Sequence, residues 1–116
     1  MDDKNLMLVK NIIAHVSKVL VYCGGMDEKS FVTDNKTVDA CLINLQQIGE
    51  LANKTGEQFK ATHPDIPWNE MRGLRNIIAH NYDGVNVFHI WNTINSSLPD
   101  LLRQLDDIIK NMQSSP

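Results

Sequence analysis

The stretch from Met71 to Asp83 holds side chains suited to chemistry on a phosphate group. It reads Met-Arg-Gly-Leu-Arg-Asn-Ile-Ile-Ala-His-Asn-Tyr-Asp, so two arginines, a histidine and a tyrosine lie close together in the chain. Arginine carries a permanent charge and a planar fork of donors that fits phosphate oxygens. Histidine titrates near neutral pH and can both give and take a proton.

This set of side chains suits the cleavage of RNA without a metal ion. In that reaction the ribose 2′-OH attacks the adjacent phosphate, histidine moves a proton, and arginine stabilises the charge that builds on phosphorus. Asn76 is a further candidate, since its amide can hold a phosphate or ribose oxygen. The sequence shows no metal-ligand spacing of His, Cys or carboxylates and no Gly-rich phosphate loop, so we expect neither a metal nor another cofactor.

The spacing of these residues poses a geometric problem. Arg72, Asn76 and His80 are spaced by four and share one face of a helix. Arg75 precedes His80 by five residues, which places it about 140° around the axis at ~100° per residue. Arg75 and His80 can serve one site in two ways: the long arginine side chain reaches around the helix, or two copies of the helix pair across a symmetry axis.

A purely structural interpretation of the same residues is also open. Arg72 and Arg75 would pair with Glu70 or Asp83, and His80 would cap the C-terminus of its helix. By pattern alone, an arginine followed by a histidine on a helix does not decide between this interpretation and catalysis.

Apolar residues recur every three or four positions along four segments, a pattern typical of helices. The segments run from Leu6 to Cys23, from Val38 to Ala52, from Trp68 to Ile78 and from Val87 to Met112. Strand-like alternation is absent from the sequence. We therefore predict an all-α fold, a bundle of four main helices with short connections that forms a single domain over residues 1–116.

Glycine, proline and polar residues predict where these helices end. Gly24-Gly25 ends the first helix, and Asp34 or Asn35 caps the second after a polar stretch from Met26 to Asp34. Pro67 fits the first position of the third helix, because its missing N–H would be unpaired there. That helix runs to His80 or Tyr82, and a loop from Asn81 to Asn86 leads to the last helix.

Three features depart from regular helix. Gly49 lies inside the second helix, where glycine costs ~1 kcal/mol relative to alanine, so it marks either the close approach of another helix or a tolerated defect. Pro99 predicts a kink near Asn95–Pro99 in the last helix. The segment Thr55–Pro67 is predicted to be a break, with a helical turn near Glu57–Ala61.

Composition limits the classes of partner and compartment. The 116 residues include 11 basic and 14 acidic side chains, a net charge of -3, so any contact with nucleic acid must come from a local patch. Cys23 and Cys41 fall in helical apolar patterns and are expected to be buried free thiols. No apolar run reaches the ~18 residues that span a bilayer, and the N-terminus lacks a secretory pattern, so we expect a cytoplasmic protein without membrane contact.

Three blocks of the sequence resemble the HepT family of the HEPN superfamily. They are Gln-Ile-Gly-Glu-Leu-Ala at 47–52, His-Pro-Asp-Ile-Pro-Trp at 63–68 and Gly-Leu-Arg-Asn-Ile-Ile-Ala-His-Asn-Tyr at 73–82. The Arg-Asn-x-x-x-His-x-Tyr core of the third block is the most specific element. The resemblance continues over Val87–Leu105 and so covers nearly the whole chain.

The resemblance implies a homodimeric helical bundle that acts as the toxin of a toxin–antitoxin pair, a metal-independent endoribonuclease. Carried over, Arg75 and His80 become the catalytic pair and Asn76 a supporting polar residue. Arg72 lies outside the motif and is a candidate phosphate contact. The family's antitoxin is a minimal nucleotidyltransferase that can attach AMP to the motif tyrosine, which here is Tyr82.

Two alternatives remain open at this point. The chain could be a non-catalytic binding or regulatory partner of a nucleotidyltransferase, or a purely structural bundle. Tyr82 could simply pack its ring on the bundle and point its hydroxyl to water. Against the acidic net charge, a dimer would bring two copies of Arg72 and Arg75 into one cleft, which can build a local positive field.

Overall fold

The computed structural model describes residues 3–114, apart from the side chain of residue 114, and consists of helices. They are α1 (Asp3–Tyr22), α2 (Glu28–Val32), α3 (Asn35–Lys54), α4 (Glu57–Thr62), α5 (Trp68–His80) and α6 (Val87–Ser114), with a 3-10 turn at Tyr82–Gly84 between the last two. Within these residues there is no strand. The predicted all-α fold with four main helices, α1, α3, α5 and α6, is confirmed.

Local signals account for most helix boundaries. The Asp34 carboxylate accepts a hydrogen bond from the backbone N–H of Thr37 at 3.1 Å and caps α3, as predicted. Pro67 lies one position before α5, although the sequence predicted it as the first helical residue, and α5 ends at His80. The predicted helical turn after Thr55 is present as α4.

The polar stretch after α1 contains a helix that the sequence analysis missed. Asp27 caps α2 reciprocally: its carboxylate accepts from the N–H of Ser30 at 2.8 Å, and the Ser30 hydroxyl accepts from the N–H of Asp27 at 2.9 Å. Phe31 is fully buried and stacks on Trp91 of α6, with 5.0 Å between ring centroids. One aromatic side chain thus anchors this short helix to the bundle.

Helix α3 lies at the centre of the bundle and packs against both α1 and α5, while α6 packs against α1. The apolar faces of α3 and α6 contribute to the core, and the α1 stripe is centred on Val9, Ile12, Val16 and Val19. Helix α6 continues through Pro99, with Leu98 and Leu101 buried beside it. Proline therefore does not end this helix, and the kink near Asn95–Pro99 remains a prediction.

Gly49 is buried where α3 meets α5. A Cβ at this position would lie 2.7 Å from the backbone carbonyl oxygen of Met71 and would overlap the Cβ of Arg75. Of the two interpretations of Gly49, the close approach of another helix is therefore correct. The approach is made by α5 of the same chain.

Cys23 and Cys41 are buried free thiols, as predicted, and their Sγ atoms lie 3.6 Å apart. Burial is the main cause that raises the pKa of both thiols above the ordinary value. Among residues 3–114, no helix combines the length and the apolar character that a membrane crossing requires.

Two glycines that lie within helices, Gly49 in α3 and Gly73 in α5, allow a matched test of the α3–α5 contact. Gly49→Ala should destabilise the protein by about 1–3 kcal/mol, because the methyl group has no room against α5. Gly73→Ala in α5 should instead stabilise it by about 0.5–1 kcal/mol, since no atom lies within 4 Å of the added Cβ and alanine favours helix. Urea unfolding of both variants measures the difference, and equal stability of the two would contradict the close approach.

Candidate functional site

Arg75 projects from α5 toward α3, where Gly49 leaves room for its Cβ. Its Nε donates a short hydrogen bond to Oε1 of Glu50, and its Nη1 donates to Oδ1 of Asn76 at 2.8 Å. The Arg75 and Glu50 side chains are 30% and 31% exposed. The guanidinium is therefore held on one side, and three of its five N–H donors have no partner among the described residues.

The structural interpretation of these residues named other partners for the two arginines, and it is wrong for both, although His80 does lie in the last turn of α5. Arg75 pairs with Glu50 rather than with Glu70 or Asp83. Arg72 donates through Nη2 to Oδ1 of Asn69 at 3.3 Å. Helix α5 ends after His80, where the backbone N–H of Asn81 donates to the carbonyl oxygen of Ile77. Among the described residues, the His80 side chain makes no hydrogen bond at this helix end.

The remaining motif residues share an open face of α5. Arg72, Asn76 and His80 are all exposed, as their four-residue spacing predicted. Within residues 3–114 the His80 side chain makes no hydrogen bond and no ion pair, so both of its ring nitrogens are accessible to a ligand. This face offers a histidine that can move a proton and an arginine that can contact phosphate.

Arg75 and His80 leave α5 in different directions, and no hydrogen bond joins them in the described part of the chain. Arg75 is turned toward α3 and held by Glu50, whereas His80 lies on the exposed face. Five residues of helix separate them by about 140° and by roughly 7.5 Å along the axis. The Arg75 guanidinium nevertheless contacts Asn76 of that face while it keeps Glu50, so both alternatives, an arginine that reaches around α5 and a site completed by a second copy, stay open.

Tyr82 lies in the 3-10 turn that follows α5 and contacts α3. Its hydroxyl donates to Oδ1 of Asp39 at 3.1 Å, and its side chain is 37% exposed. Burial raises the pKa of Tyr82 above the ordinary value, and the hydrogen bond and charge of Asp39, with the charge of Asp83, raise it further. The alternative in which this hydroxyl points only to water is therefore wrong.

Sequence reasoning missed two carboxylates of α3 that contact the motif. Glu50 lies 25 residues before Arg75, and Asp39 lies 43 residues before Tyr82. Glu50 falls within the first of the three blocks quoted above, and that position is the one signal that could have found it. Nothing in the sequence pattern singles out Asp39, an exposed residue near the start of α3.

An open groove runs between α5 and α6 with α3 as its floor. It has a volume of ≈ 440 Å³ and a mainly apolar lining, which includes Leu45 and Ile48 of α3, Leu74 and Ile77 of α5, and Leu98 and Leu101 of α6; the polar residues Glu70, His89, Thr93 and Ser97 also line it. Ile77 is 54% exposed at its edge. Gly73 also lines the groove, so α5 presents little side-chain bulk there.

The part of the chain that the structure describes contains no group of three His, Cys, Asp or Glu side chains placed to hold one metal ion. The groups suited to phosphate chemistry are instead the partly free Arg75 guanidinium, the accessible His80 ring and the exposed Arg72 and Asn76. The Asn76 carbonyl oxygen is engaged by Arg75, which leaves its amide N–H₂ free to donate.

The known proteins that are similar to this chain carry names of ribonucleases. A protein from Thermococcus cleftensis named "Probable ribonuclease HepT" is 35% identical over 82 residues, 71% of this chain and 74% of that protein. "Putative RNase TTE0752" from Caldanaerobacter subterraneus subsp. tengcongensis is 34% identical over 86 residues, 74% of this chain and 77% of its own length.

A third relative, "Putative RNase MJ0127" from Methanocaldococcus jannaschii, is 28% identical over 103 residues, 89% of this chain and 85% of that protein. No solved structure matches the chain significantly. The family model described as "Ribonuclease HepT-like" matches residues 11–108, which include α3, α5 and the motif turn between α5 and α6. The chain is therefore a member of the HepT-like ribonuclease family.

Proposed function

We propose that the protein is a metal-independent endoribonuclease and the toxin of a toxin–antitoxin pair. The observation that carries this proposal is the state of the two motif side chains. Arg75 is held by Glu50 and Asn76, and three of its five N–H donors stay without a partner among residues 3–114. His80 is exposed and has no partner among the same residues. Membership of a ribonuclease family supports the same reaction.

In the proposed reaction the ribose 2′-oxygen attacks the adjacent phosphorus, and the bond from phosphorus to the 5′-oxygen breaks. His80 transfers a proton to or from these oxygens, and the free N–H groups of Arg75 stabilise the negative charge on the phosphorane. Asn76 and Arg72 hold the phosphate from the exposed face of α5. The products are a 2′,3′-cyclic phosphate end and a 5′-hydroxyl end.

We further propose that the active unit is a homodimer in which α5 of one chain faces α5 of the other. Gly49 and the apolar stripe of α6 are both used in packing within the chain, so neither supports a second copy. The remaining support comes from the open groove between α5 and α6 and from the divergence of Arg75 and His80. A two-fold partner at this groove would supply each His80 with an arginine from the other chain.

The proposed partner that controls the toxin is a minimal nucleotidyltransferase, which would attach AMP to Tyr82. Tyr82 lies two residues after His80, and the residue is 37% exposed. An AMP group there would place a bulky anion beside the motif, where it blocks access and repels the RNA backbone.

One observation favours a second candidate, a non-catalytic partner of the nucleotidyltransferase. Glu50 neutralises much of the charge of Arg75, and the whole chain is acidic, so the affinity for RNA rests on few side chains. An assay for RNA cleavage separates the two candidates.

His80→Ala should lower RNA cleavage by roughly 10²-fold or more, because the proton-transfer group is lost. Arg75→Lys should have a comparable effect: lysine keeps a charge for Glu50 but loses the planar fork. Arg103→Ala, an exposed arginine of α6, is the matched control and should cleave normally. Activity is measured on labelled RNA in EDTA with analysis of the product ends, and full activity of His80→Ala would refute the assignment.

The groove predicts the oligomeric state. Sedimentation at micromolar concentration should show a species of about twice the chain mass of 13.1 kDa. Ile77→Glu should shift it to the monomer, because a charge in the dimer groove is not solvated. Val21→Glu, at a side chain that is 75% exposed on α1, is the control and should stay dimeric. A wild-type monomer under these conditions would contradict the dimer.

Co-expression with the active nucleotidyltransferase should add one or more AMP units to a peptide that contains Tyr82 and should abolish RNA cleavage. Tyr82→Phe should escape both effects, because the acceptor oxygen is gone. Tyr22→Phe is the control and should be modified and inhibited like the wild type. An unchanged intact mass with loss of activity would mean that the transferase inhibits by binding alone.

A further inference from the structure

The chain has two tyrosines, and exposure does not distinguish them. Tyr22 at the end of α1 is 43% exposed, and Tyr82 after α5 is 37% exposed. Their hydrogen bonds differ. The Tyr82 hydroxyl donates to Oδ1 of Asp39 at 3.1 Å, whereas the Tyr22 hydroxyl has no hydrogen-bond partner among residues 3–114.

We infer that Asp39 is the general base for nucleotide transfer to Tyr82, and that this carboxylate makes Tyr82 the acceptor in preference to Tyr22. The inference rests on the proposed modification of Tyr82 by a nucleotidyltransferase. It adds a residue of this chain to that reaction: the toxin supplies the base, while the transferase supplies the nucleoside triphosphate.

The geometry matches the transfer step. As the Tyr82 oxygen attacks the α-phosphorus of ATP, its proton passes to Oδ1 of Asp39, which already accepts the hydrogen bond. The bond from the α-phosphorus to the bridging oxygen breaks, and diphosphate leaves. Asp39 then releases the proton to water, and the products are the tyrosine ester of AMP and diphosphate.

The charges around Tyr82 explain why a base is needed. Asp39 faces the hydroxyl from α3, and Asp83 lies next to Tyr82 in the turn. Together with burial these two carboxylates raise the pKa of Tyr82, so the phenol is neutral at neutral pH. A neutral phenol is a weak nucleophile, and the carboxylate in contact with its proton is the group placed to activate it.

The product cannot keep this contact. The ester oxygen of modified Tyr82 has no hydrogen to donate, and the phosphate adds a negative charge beside Asp39 and Asp83. Like-charge repulsion therefore drives the modified side chain away from α3. The hydrogen bond to Asp39 is specific to the unmodified toxin.

The test uses the full chain with the purified cognate nucleotidyltransferase, ATP and Mg²⁺, and follows the intact mass over time. Asp39→Asn can still accept the hydroxyl hydrogen bond but cannot take the proton, so initial transfer should fall by about 10²-fold. Asp83→Asn removes the neighbouring charge without removing the base, and its rate should stay within about twofold of the wild type. Circular dichroism and thermal melting confirm the fold of both variants.

The pH dependence distinguishes a base from a structural contact. The defect of Asp39→Asn, relative to Asp83→Asn at the same pH, should shrink as the pH rises toward the phenol's ordinary pKa of about 10, since the phenolate then forms without a base. A defect that stays constant with pH would mean that Asp39 only orients the ring, and would overturn the inference.

The remaining outcomes separate the inference from the function on which it rests. If Asp39→Asn is modified at the wild-type rate, Asp39 is not the base, while the control of the toxin through Tyr82 stands. If the wild type is modified at Tyr22, the proposed selection is wrong. If the wild type is not modified at all, both the modification and the role of Asp39 fail, whereas the RNA cleavage assay still decides the nuclease function independently.

Discussion

The approach of α5 to Gly49 is the contact on which the site depends. Without a side chain at this position, the backbone of α5 lies close enough for the carbonyl of Met71 and the Cβ of Arg75 to pack directly on α3. This distance lets Arg75 reach Glu50, the next residue after Gly49. A larger residue at 49 would push α5 outward and lengthen the ion pair between Arg75 and Glu50. The absence of a side chain at Gly49 therefore sets both the distance between α3 and α5 and the position of the Arg75 charge.

This contact also makes the two motif side chains different: Arg75 is anchored to α3, and His80 is not. Glu50 and Asn76 engage two of the five N–H donors of Arg75, so the planar guanidinium is already held in place. It therefore loses less conformational freedom when its remaining donors bind phosphate. His80 lies at the end of α5, exposed and without a hydrogen bond or ion pair in the described part of the chain. An anchored guanidinium and an exposed imidazole would suit phosphoryl chemistry, and their divergence around α5 is what makes a second chain part of the proposal.

The sequence predicted the helices well because the buried apolar residues of a helix recur every three or four positions along the chain. Apolar spacing and the Asp34 cap depend on residues three or four apart, so the bounds of α3 and α5 were predicted within a residue or two. Helix α2 was missed although Asp27 and Ser30 form a readable capping pair, because five residues are too few for an apolar period. Glu50 and Asp39 could not be paired with Arg75 and Tyr82, since such contacts depend on how α5 docks on α3, which no local pattern encodes.

The two missed carboxylates have a common geometric origin. Asp39 and Glu50 are 11 residues apart on α3, which returns to within about 20° of the same direction after three turns. That side of α3 therefore presents one carboxylate near each end of the helix. Glu50 near the C-terminal end holds Arg75, and Asp39 near the N-terminal end holds the hydroxyl of Tyr82, as an antiparallel α5 requires.

The two contacts differ in what can break them. Arg75 and Glu50 form an ion pair beside a packed backbone, whereas the contact of Tyr82 with Asp39 depends on one phenolic proton. Esterification of the hydroxyl would remove that proton and leave the ion pair intact. A modification at Tyr82 can thus release the turn after α5 while the arginine stays anchored to α3, so inhibition would act at the exposed end of α5 without dismantling the site.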